Sequence, residues 1–178
     1  MSMHVSDFST LPTQAALEAL AARVGNMLRT NGQTLATAES CTGGWAAQCL
    51  TAIAGSSDWF ERGFVTYSNE AKQEMLGVAA ETLALHGAVS EATAAAMAEG
   101  ALAHSRADWA LAITGIAGPG GGSPNKPVGL VCFAWAGRDG QLRVETRRFA
   151  GERNAVRAQA VAHALDGLLL SDADTMSA

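Results

Sequence analysis

The sequence predicts an α/β protein, a three-layer α/β/α sandwich with a mixed, mostly parallel five-stranded sheet. Three observations lead to this class. Short apolar strands alternate three times with helical segments, a pattern typical of parallel strands joined by helical crossovers. A β-hairpin follows at about 127–149, around the turn at 137–140, and its second strand alternates like a half-exposed edge. One more amphipathic helix closes the chain, so helices are expected on both faces of the sheet.

The elements are placed by hydrophobic periodicity and by turn residues. Helices are predicted at 13–30, 45–53, 69–76, 82–86, 91–105 and from 152 onward. Strands are predicted at 34–37, 63–67, 108–114, 127–136 and 141–149. The third strand is apolar throughout, which is typical of a strand buried on both faces. We expect a single domain over 13–170, with loose tails at 1–12 and 171–178.

The composition indicates a globular protein without a membrane span or a nucleic-acid surface. The chain has 178 residues, of which 48% are hydrophobic, enough for a sizeable core. No apolar run approaches the roughly 20 residues that cross a bilayer, and we see no secretory signal. The formal net charge of −5 with scattered lysines and arginines argues against nucleic-acid binding. A cytoplasmic protein is expected.

Neither the cysteines nor the histidines form a metal-binding pattern. The three cysteines are odd in number and show no CxxC spacing, so they are interpreted as reduced core residues. The histidines at 86, 104 and 163 each stand alone on predicted helical segments. No metal and no cofactor are therefore expected.

The polar cluster at residues 37–44, TAESCTGG, joins the first predicted strand to the next helix. Such a turn leaves N–H groups free at the positive end of a helix dipole, where an anion or oxyanion is stabilised. Two interpretations stay open from this stretch alone. Either Ser40 or Thr42 caps the helix, or Ser40 is a nucleophile set among N–H donors. Cys41 ranks below Ser40 because no histidine accompanies it in sequence.

The glycine-rich segment at 115–124, GIAGPGGGSP, follows the third predicted strand. It matches neither the P-loop nor the dinucleotide-binding glycine motif. Its glycines let backbone N–H groups approach a ligand closely, and long irregular loops in compact domains are often functional. A plain surface loop is the alternative.

A serine nucleophile needs a base, and a lysine can serve where its pKa is lowered. Lys72 and Tyr67 both fall near the end of the second predicted strand, at the sheet edge where open α/β proteins bind ligands. A solvated lysine on a helix surface is the alternative interpretation of Lys72.

Several ordered motifs resemble the stand-alone CinA C-terminal family, the nicotinamide mononucleotide deamidases of PncC type. The motifs lie at 38–44, 54–63, 67–72, 86–90 and 115–119. The likeness runs from about Leu17 to Leu169. It implies hydrolysis of the carboxamide of nicotinamide mononucleotide, giving nicotinate mononucleotide and ammonia in pyridine-nucleotide recycling. It also implies that Ser40 attacks the amide carbon, Lys72 takes the serine proton, and Tyr67 relays or orients that proton.

The resemblance further implies a set of substrate-binding groups. N–H groups around Cys41, Thr42 and the 115–121 segment would hold the oxyanion. Arg153, or Arg157 one turn later, would bind the 5′-phosphate of the mononucleotide, unless these arginines form only surface salt bridges. The residues expected to bind substrate are Glu39, Cys41, Thr42, Gly43, Gly44, Thr114, Gly115, Gly118, Gly120, Gly121 and Arg153.

Two alternative functions stay open at this point. One is an amidase for another nucleotide-like carboxamide, and the other is a non-catalytic partner protein in competence or DNA-damage responses. A homo-oligomer is expected, and the aromatic residues Trp45, Trp59 and Phe60 are interpreted either as core or as a subunit contact.

Overall fold

The computed structural model describes residues 11–175 of the chain. The helices are α1 (Gln14–Asn31), α2 (Trp45–Thr51), α3 (Asn69–Leu76), α4 (Ala80–His86), α5 (Glu91–Ala103) and α6 (Arg153–Thr175), with a 3₁₀ turn at Ser56–Asp58. The strands are β1 (Leu35–Glu39), β2 (Phe60–Val65), β3 (Trp109–Gly115), β4 (Leu130–Gly137) and β5 (Leu142–Arg148). Each predicted helix and strand is present, with boundaries that differ by a few residues.

The five strands form one mixed sheet in the order β2-β1-β3-β4-β5. Strand β1 pairs in parallel with both β2 and β3, and the hairpin adds β4 and β5 by antiparallel pairing. Four of the five strands therefore point in one direction, which confirms the predicted mixed sheet. Strand β2 starts earlier than predicted, because Phe60 already pairs with Leu35 of β1.

The two faces of the sheet carry side chains of different size. Leu111 and Ile113 of β3 pack with α1, α2 and α6, whereas Ala110 and Ala112 pack under α5. Successive residues of a strand point to opposite faces, so β3 is buried on both, as its apolar run predicts. Helices cover both faces, which confirms the three-layer sandwich. The alanine face lets α5 and its neighbours approach the sheet closely.

Trp59 belongs to the core rather than to an exposed patch. Its side chain is 1% exposed, and a Cβ added at Gly25 of α1 would lie 2.5 Å from its ring. Trp45 and Phe60 are partly buried against the same core. The interpretation of Trp59 as a subunit contact is therefore wrong, and the homo-oligomer stays a prediction.

The last helix is longer than the sequence analysis expects. Helix α6 continues through Thr175, and the buried Ser171 hydroxyl donates to the Gly167 carbonyl at 3.0 Å. The loose tail predicted from residue 171 is therefore wrong as far as residue 175. The expectations for 1–10 and 176–178 lie outside the described residues.

The described residues contain neither a membrane-spanning helix nor a cluster of metal-binding side chains. Within 11–175, no helix is long and apolar enough to cross a membrane. In the same part of the chain, no three histidine, cysteine or acidic side chains are grouped as a metal ion would require.

Candidate active site

Ser40 is held at the end of the central strand β1. It follows Glu39, the last residue of that strand, and its backbone N–H donates to the Ile113 carbonyl of β3 at 2.9 Å. The side chain is 8% exposed. Because β1 lies between β2 and β3, Ser40 sits at the edge of the sheet where the parallel strands end, the usual ligand position in open α/β sheets.

Lys72 reaches Ser40 from helix α3 in the connection that follows β2. Ser68 caps this helix, since its Oγ accepts from the Ala71 N–H at 3.0 Å. One turn later, the Lys72 Nζ lies 3.0 Å from Ser40 Oγ and donates to the Thr66 carbonyl at 2.7 Å. The side chain of Lys72 is 1% exposed. The interpretation of Lys72 as a solvated lysine on the helix surface is therefore wrong.

Burial sets the protonation of the groups around Ser40. Removal from water lowers the pKa of Lys72 below the ordinary 10.5, because a buried ammonium loses hydration. Burial also raises the pKa of the Cys41 thiol to about 12. The thiol is therefore protonated near neutral pH and is a poor nucleophile. Among these side chains, Ser40 is the one with an adjacent base.

Glu39 caps the first turn of helix α2, a role that the sequence suggested for Ser40 or Thr42. Its carboxylate accepts from the N–H groups of Ala46 at 2.9 Å and Ala47 at 3.0 Å, and from the Thr42 hydroxyl at 2.7 Å. The backbone N-cap of α2 is Gly44, which makes no side-chain cap. The capping roles considered for Ser40 and Thr42 are therefore wrong, because Glu39 satisfies the first turn and its dipole instead.

A cavity of about 280 Å³ opens above Ser40. Ten of its lining residues were predicted as site residues. These are Ser40, Cys41, Tyr67, Lys72, Thr114, Gly115, Gly118, Gly120, Gly121 and Arg153. The remaining lining residues are Asn69, Ala88, Val89, Ile116 and Ala117. The glycine-rich segment therefore forms a wall of the cavity, and the interpretation of it as a plain surface loop is wrong.

Four predicted substrate-binding residues are not brought to the cavity. Glu39 and Thr42 are buried and bonded to each other, and neither lines the cavity. Gly43 and Gly44, with φ of 59° and 97°, shape the turn and do not line the cavity either. Positive φ explains why glycine stands at both positions. Their expected contact with substrate is thus not seen in the cavity geometry.

Arg153 and Tyr67 meet at the mouth of the cavity. Arg153, the first residue of α6, donates through Nη1 to the Gly118 carbonyl at 2.7 Å and through Nη2 to the Tyr67 hydroxyl at 2.9 Å. Tyr67 is 60% exposed. Its hydroxyl is therefore bonded to Arg153, and within the described residues it makes no hydrogen bond to Ser40 or Lys72. The proton relay predicted for Tyr67 has no geometric support.

Arg157 binds the turn that follows Ser40, which we call the nucleophile turn (residues 40–44), and does not line the cavity. Its guanidinium donates to the carbonyls of Cys41 and Thr42, both at 3.1 Å, and to the Asn154 amide oxygen. Of the two arginines considered for an anion, only Arg153 lines the cavity. We call Ser40 and Lys72 the floor of the cavity, and the exposed residues Tyr67, Asn69 and Arg153 its rim.

Asn69 lines the cavity but was not among the predicted site residues, although its spacing from Lys72 indicates it. Asn69 opens α3, three residues before Lys72. Residues three apart share a helix face. A site that contains Lys72 therefore predicts that Asn69 lies beside it. Ala88 and Val89 were placed only in a turn, and no chemical feature of their side chains marks them in sequence.

The fold and the cavity define a class, an α/β sandwich with a buried, hydrogen-bonded serine–lysine pair at the ends of its parallel strands. The family model of the CinA C-terminal domain matches residues 17–171. The chain belongs to the CinA C-terminal domain family.

Relatives and solved structures agree with this membership. The chain is 58% identical over 156 residues to the nicotinamide-nucleotide amidohydrolase PncC of Escherichia coli K12, covering 88% of this chain and 94% of that protein. A CinA-like protein of Syntrophobacter fumaroxidans is 55% identical over 148 residues, which cover 83% of this chain and 35% of that longer protein. The crystal structure of the competence/damage inducible protein CihA from Agrobacterium tumefaciens superposes with a TM-score of 0.86 at 50% identity, covering 91% of this chain and 98% of that one.

Proposed function

We propose that this protein is a nicotinamide-nucleotide amidohydrolase, which converts nicotinamide mononucleotide and water to nicotinate mononucleotide and ammonia. The observation that carries the proposal is the 3.0 Å contact between Lys72 Nζ and Ser40 Oγ in the cavity. The substrate is inferred from the Escherichia coli relative, which is a nicotinamide-nucleotide amidohydrolase. We further propose that the protein acts in the cytoplasm as one domain over 13–170.

In the proposed acylation, Ser40 is the nucleophile and the neutral amine of Lys72 is the base. The Ser40 Oγ attacks the carboxamide carbon while the Lys72 Nζ accepts the hydroxyl proton. The lowered pKa of Lys72 raises the share of neutral amine that is present at the start. When the tetrahedral intermediate collapses, Lys72 gives the proton to the leaving nitrogen. Ammonia departs and the nicotinoyl group stays as an ester on Ser40.

In the proposed deacylation, the roles repeat with water as the nucleophile. Lys72 accepts a proton from water, the hydroxide adds to the ester carbon, and Ser40 leaves with that proton restored. The carboxylic acid that forms loses its proton to solvent, and nicotinate mononucleotide leaves as the carboxylate. The scheme uses side chains and backbone groups alone, so we expect it to work without a metal ion or a cofactor.

Backbone N–H groups near the nucleophile are the proposed oxyanion donors. The candidates are those around Cys41 and Thr42 and those of the glycine-rich wall at 115–121. Ile116 and Pro119 are exceptions, because the Ile116 N–H donates to the Leu130 carbonyl at 2.9 Å and a proline has no backbone N–H. A single missing donor of this kind typically costs about 10²–10³ in kcat.

Arg153 is the proposed partner of the 5′-phosphate. It lies on the rim, and two of its N–H groups are already fixed by Gly118 and Tyr67. A guanidinium carries five N–H donors, so donors remain for phosphate oxygens. The position at the start of α6 adds the positive end of a helix dipole.

The test of the proposed function is ammonia release from nicotinamide mononucleotide by the purified protein in EDTA. We expect release by the wild type and background release by Ser40→Ala, measured by coupled glutamate dehydrogenase. Conversion to nicotinate mononucleotide is confirmed by chromatography. Release by both proteins would show that a contaminant or another residue carries the activity. Release by neither would reject this substrate and direct the search to other carboxamides.

A further inference from the structure

We propose that Asn69 binds the ribose hydroxyls of the nucleotide and so selects for the ribonucleotide. This inference rests on the proposed function, because it assumes that a nucleotide occupies the cavity. It goes beyond that function by assigning a role to a rim residue that the serine–lysine chemistry does not use.

Asn69 of the rim lies on the same helix as Lys72 of the floor. Asn69 and Lys72 are separated by three residues of α3, and both line the cavity. Side chains three apart lie on the same face of a helix. Lys72 is buried and Asn69 is exposed, so this face leads outward from the reacting serine toward the mouth.

The amide of Asn69 is available to a ligand. Every other hydroxyl, amino or guanidinium group in the cavity lining makes a hydrogen bond within the protein. These groups belong to Ser40, Tyr67, Lys72, Thr114 and Arg153. Within the described residues, the Asn69 side chain makes none. Its two N–H donors and its oxygen acceptor are therefore open to the cavity.

The order of groups in the substrate indicates what meets Asn69. The carboxamide must lie at Ser40 Oγ for reaction, and the phosphate is assigned to Arg153 on the rim. Ribose joins the pyridinium ring to the phosphate, so it lies between these two ends. A vicinal diol both donates and accepts hydrogen bonds, and a primary amide matches it with one acceptor and two donors. Asn69 lines the same cavity as Ser40 and Arg153, and it is exposed at the rim.

The test is a cycle between Asn69→Ala and the 2′-deoxy and 3′-deoxy analogues of nicotinamide mononucleotide. We expect Asn69→Ala to lower kcat/KM for the natural substrate roughly fivefold, the range of one lost neutral hydrogen bond. At least one analogue should lose a similar factor with the wild type and lose nothing more with Asn69→Ala. Such coupling between a side chain and a ligand hydroxyl is not produced by a merely structural change.

Glu70→Ala is the matched control, because Glu70 is the next residue of the same helical turn and does not line the cavity. It should leave kcat/KM for all three substrates unchanged. Equal losses on both analogues with wild type and Asn69→Ala would overturn the inference while the proposed function stands. No turnover of nicotinamide mononucleotide by the wild type would overturn both.

Discussion

The floor and the rim of the cavity are built on opposite principles. Ser40 and Lys72 are 8% and 1% exposed and are bonded to each other. Tyr67, Asn69 and Arg153 are exposed, and each is anchored near the start of a helix or in the loop before it. Burial tunes the protonation of the floor, whereas the rim keeps its charge and hydrogen bonds in contact with solvent. Because of this difference, we expect the floor to determine kcat and the rim to determine KM.

The largest expected effect comes from breaking the floor. Ser40→Ala and Lys72→Ala should each lower kcat by at least about 10³-fold, since each removes one member of a proposed nucleophile–base unit. The double variant should lose little more than either single variant, because groups that act as a unit are not additive. Steady-state ammonia release by the four proteins measures this. Additive losses in the double variant would show that the two residues act independently.

A large effect on KM is expected from the rim. Arg153→Ala should raise KM for nicotinamide mononucleotide roughly 10- to 100-fold, the range of a lost hydrogen bond to a charged group. The value of kcat should change by only a small factor, because the floor is untouched. Nicotinamide riboside, which lacks the phosphate, serves as the control substrate. Its kinetics should be the same for wild type and Arg153→Ala, and an equal change on both substrates would exclude a phosphate contact.

The pH dependence of stability tests whether burial lowers the pKa of Lys72 in the floor. The folded pKa of Lys72 is lowered by burial, so between that pKa and about 10.5 the unfolded chain binds more protons than the folded one. The free energy of unfolding of wild type minus that of Lys72→Met should therefore rise with pH across this window. The slope cannot exceed about 1.4 kcal/mol per pH unit for one proton.

Urea unfolding of both proteins across a pH series gives this difference, in which the other titrating groups cancel. The difference should be flat below the folded pKa of Lys72 and above the unfolded one. The kcat/KM of the wild type should rise with pH through the lower end of the same window, since the neutral amine is the active form. A difference that is flat throughout would mean that burial does not shift Lys72.

The parts of the molecule predictable from sequence are those that depend on local patterns. The strand-to-helix order and the apolar run of β3 give the sandwich, and the strand ends point to Ser40 and Lys72. Burial of Lys72 depends on the Thr66 carbonyl and on the packing of α3, which no local pattern specifies. The choice between Arg153 and Arg157 likewise depends on how α6 lies against the nucleophile turn.

Glu39 was predicted to bind substrate but does not line the cavity, and the physical reason is simple. Successive side chains of a strand point in opposite directions, and Glu39 ends β1 immediately before Ser40. A serine that faces the cavity therefore predicts a glutamate that faces away from it. The carboxylate lies instead under the first turn of α2, where two N–H groups and one hydroxyl satisfy it.

The smallest expected effect decides to which region Tyr67 belongs. As a rim residue, it should act through Arg153, whose Nη2 donates to its hydroxyl at 2.9 Å. Tyr67→Phe should then raise KM by about threefold, the range of one neutral hydrogen bond, and leave kcat nearly unchanged. In an Arg153→Ala background, the same substitution should add nothing to KM, because the guanidinium that the hydroxyl positions is gone. A proton relay demands the reverse pattern, a fall in kcat of about 10²-fold or more with KM unchanged. Steady-state kinetics of the two single variants and the double variant separate the two roles, and a large kcat effect would move Tyr67 from the rim to the floor.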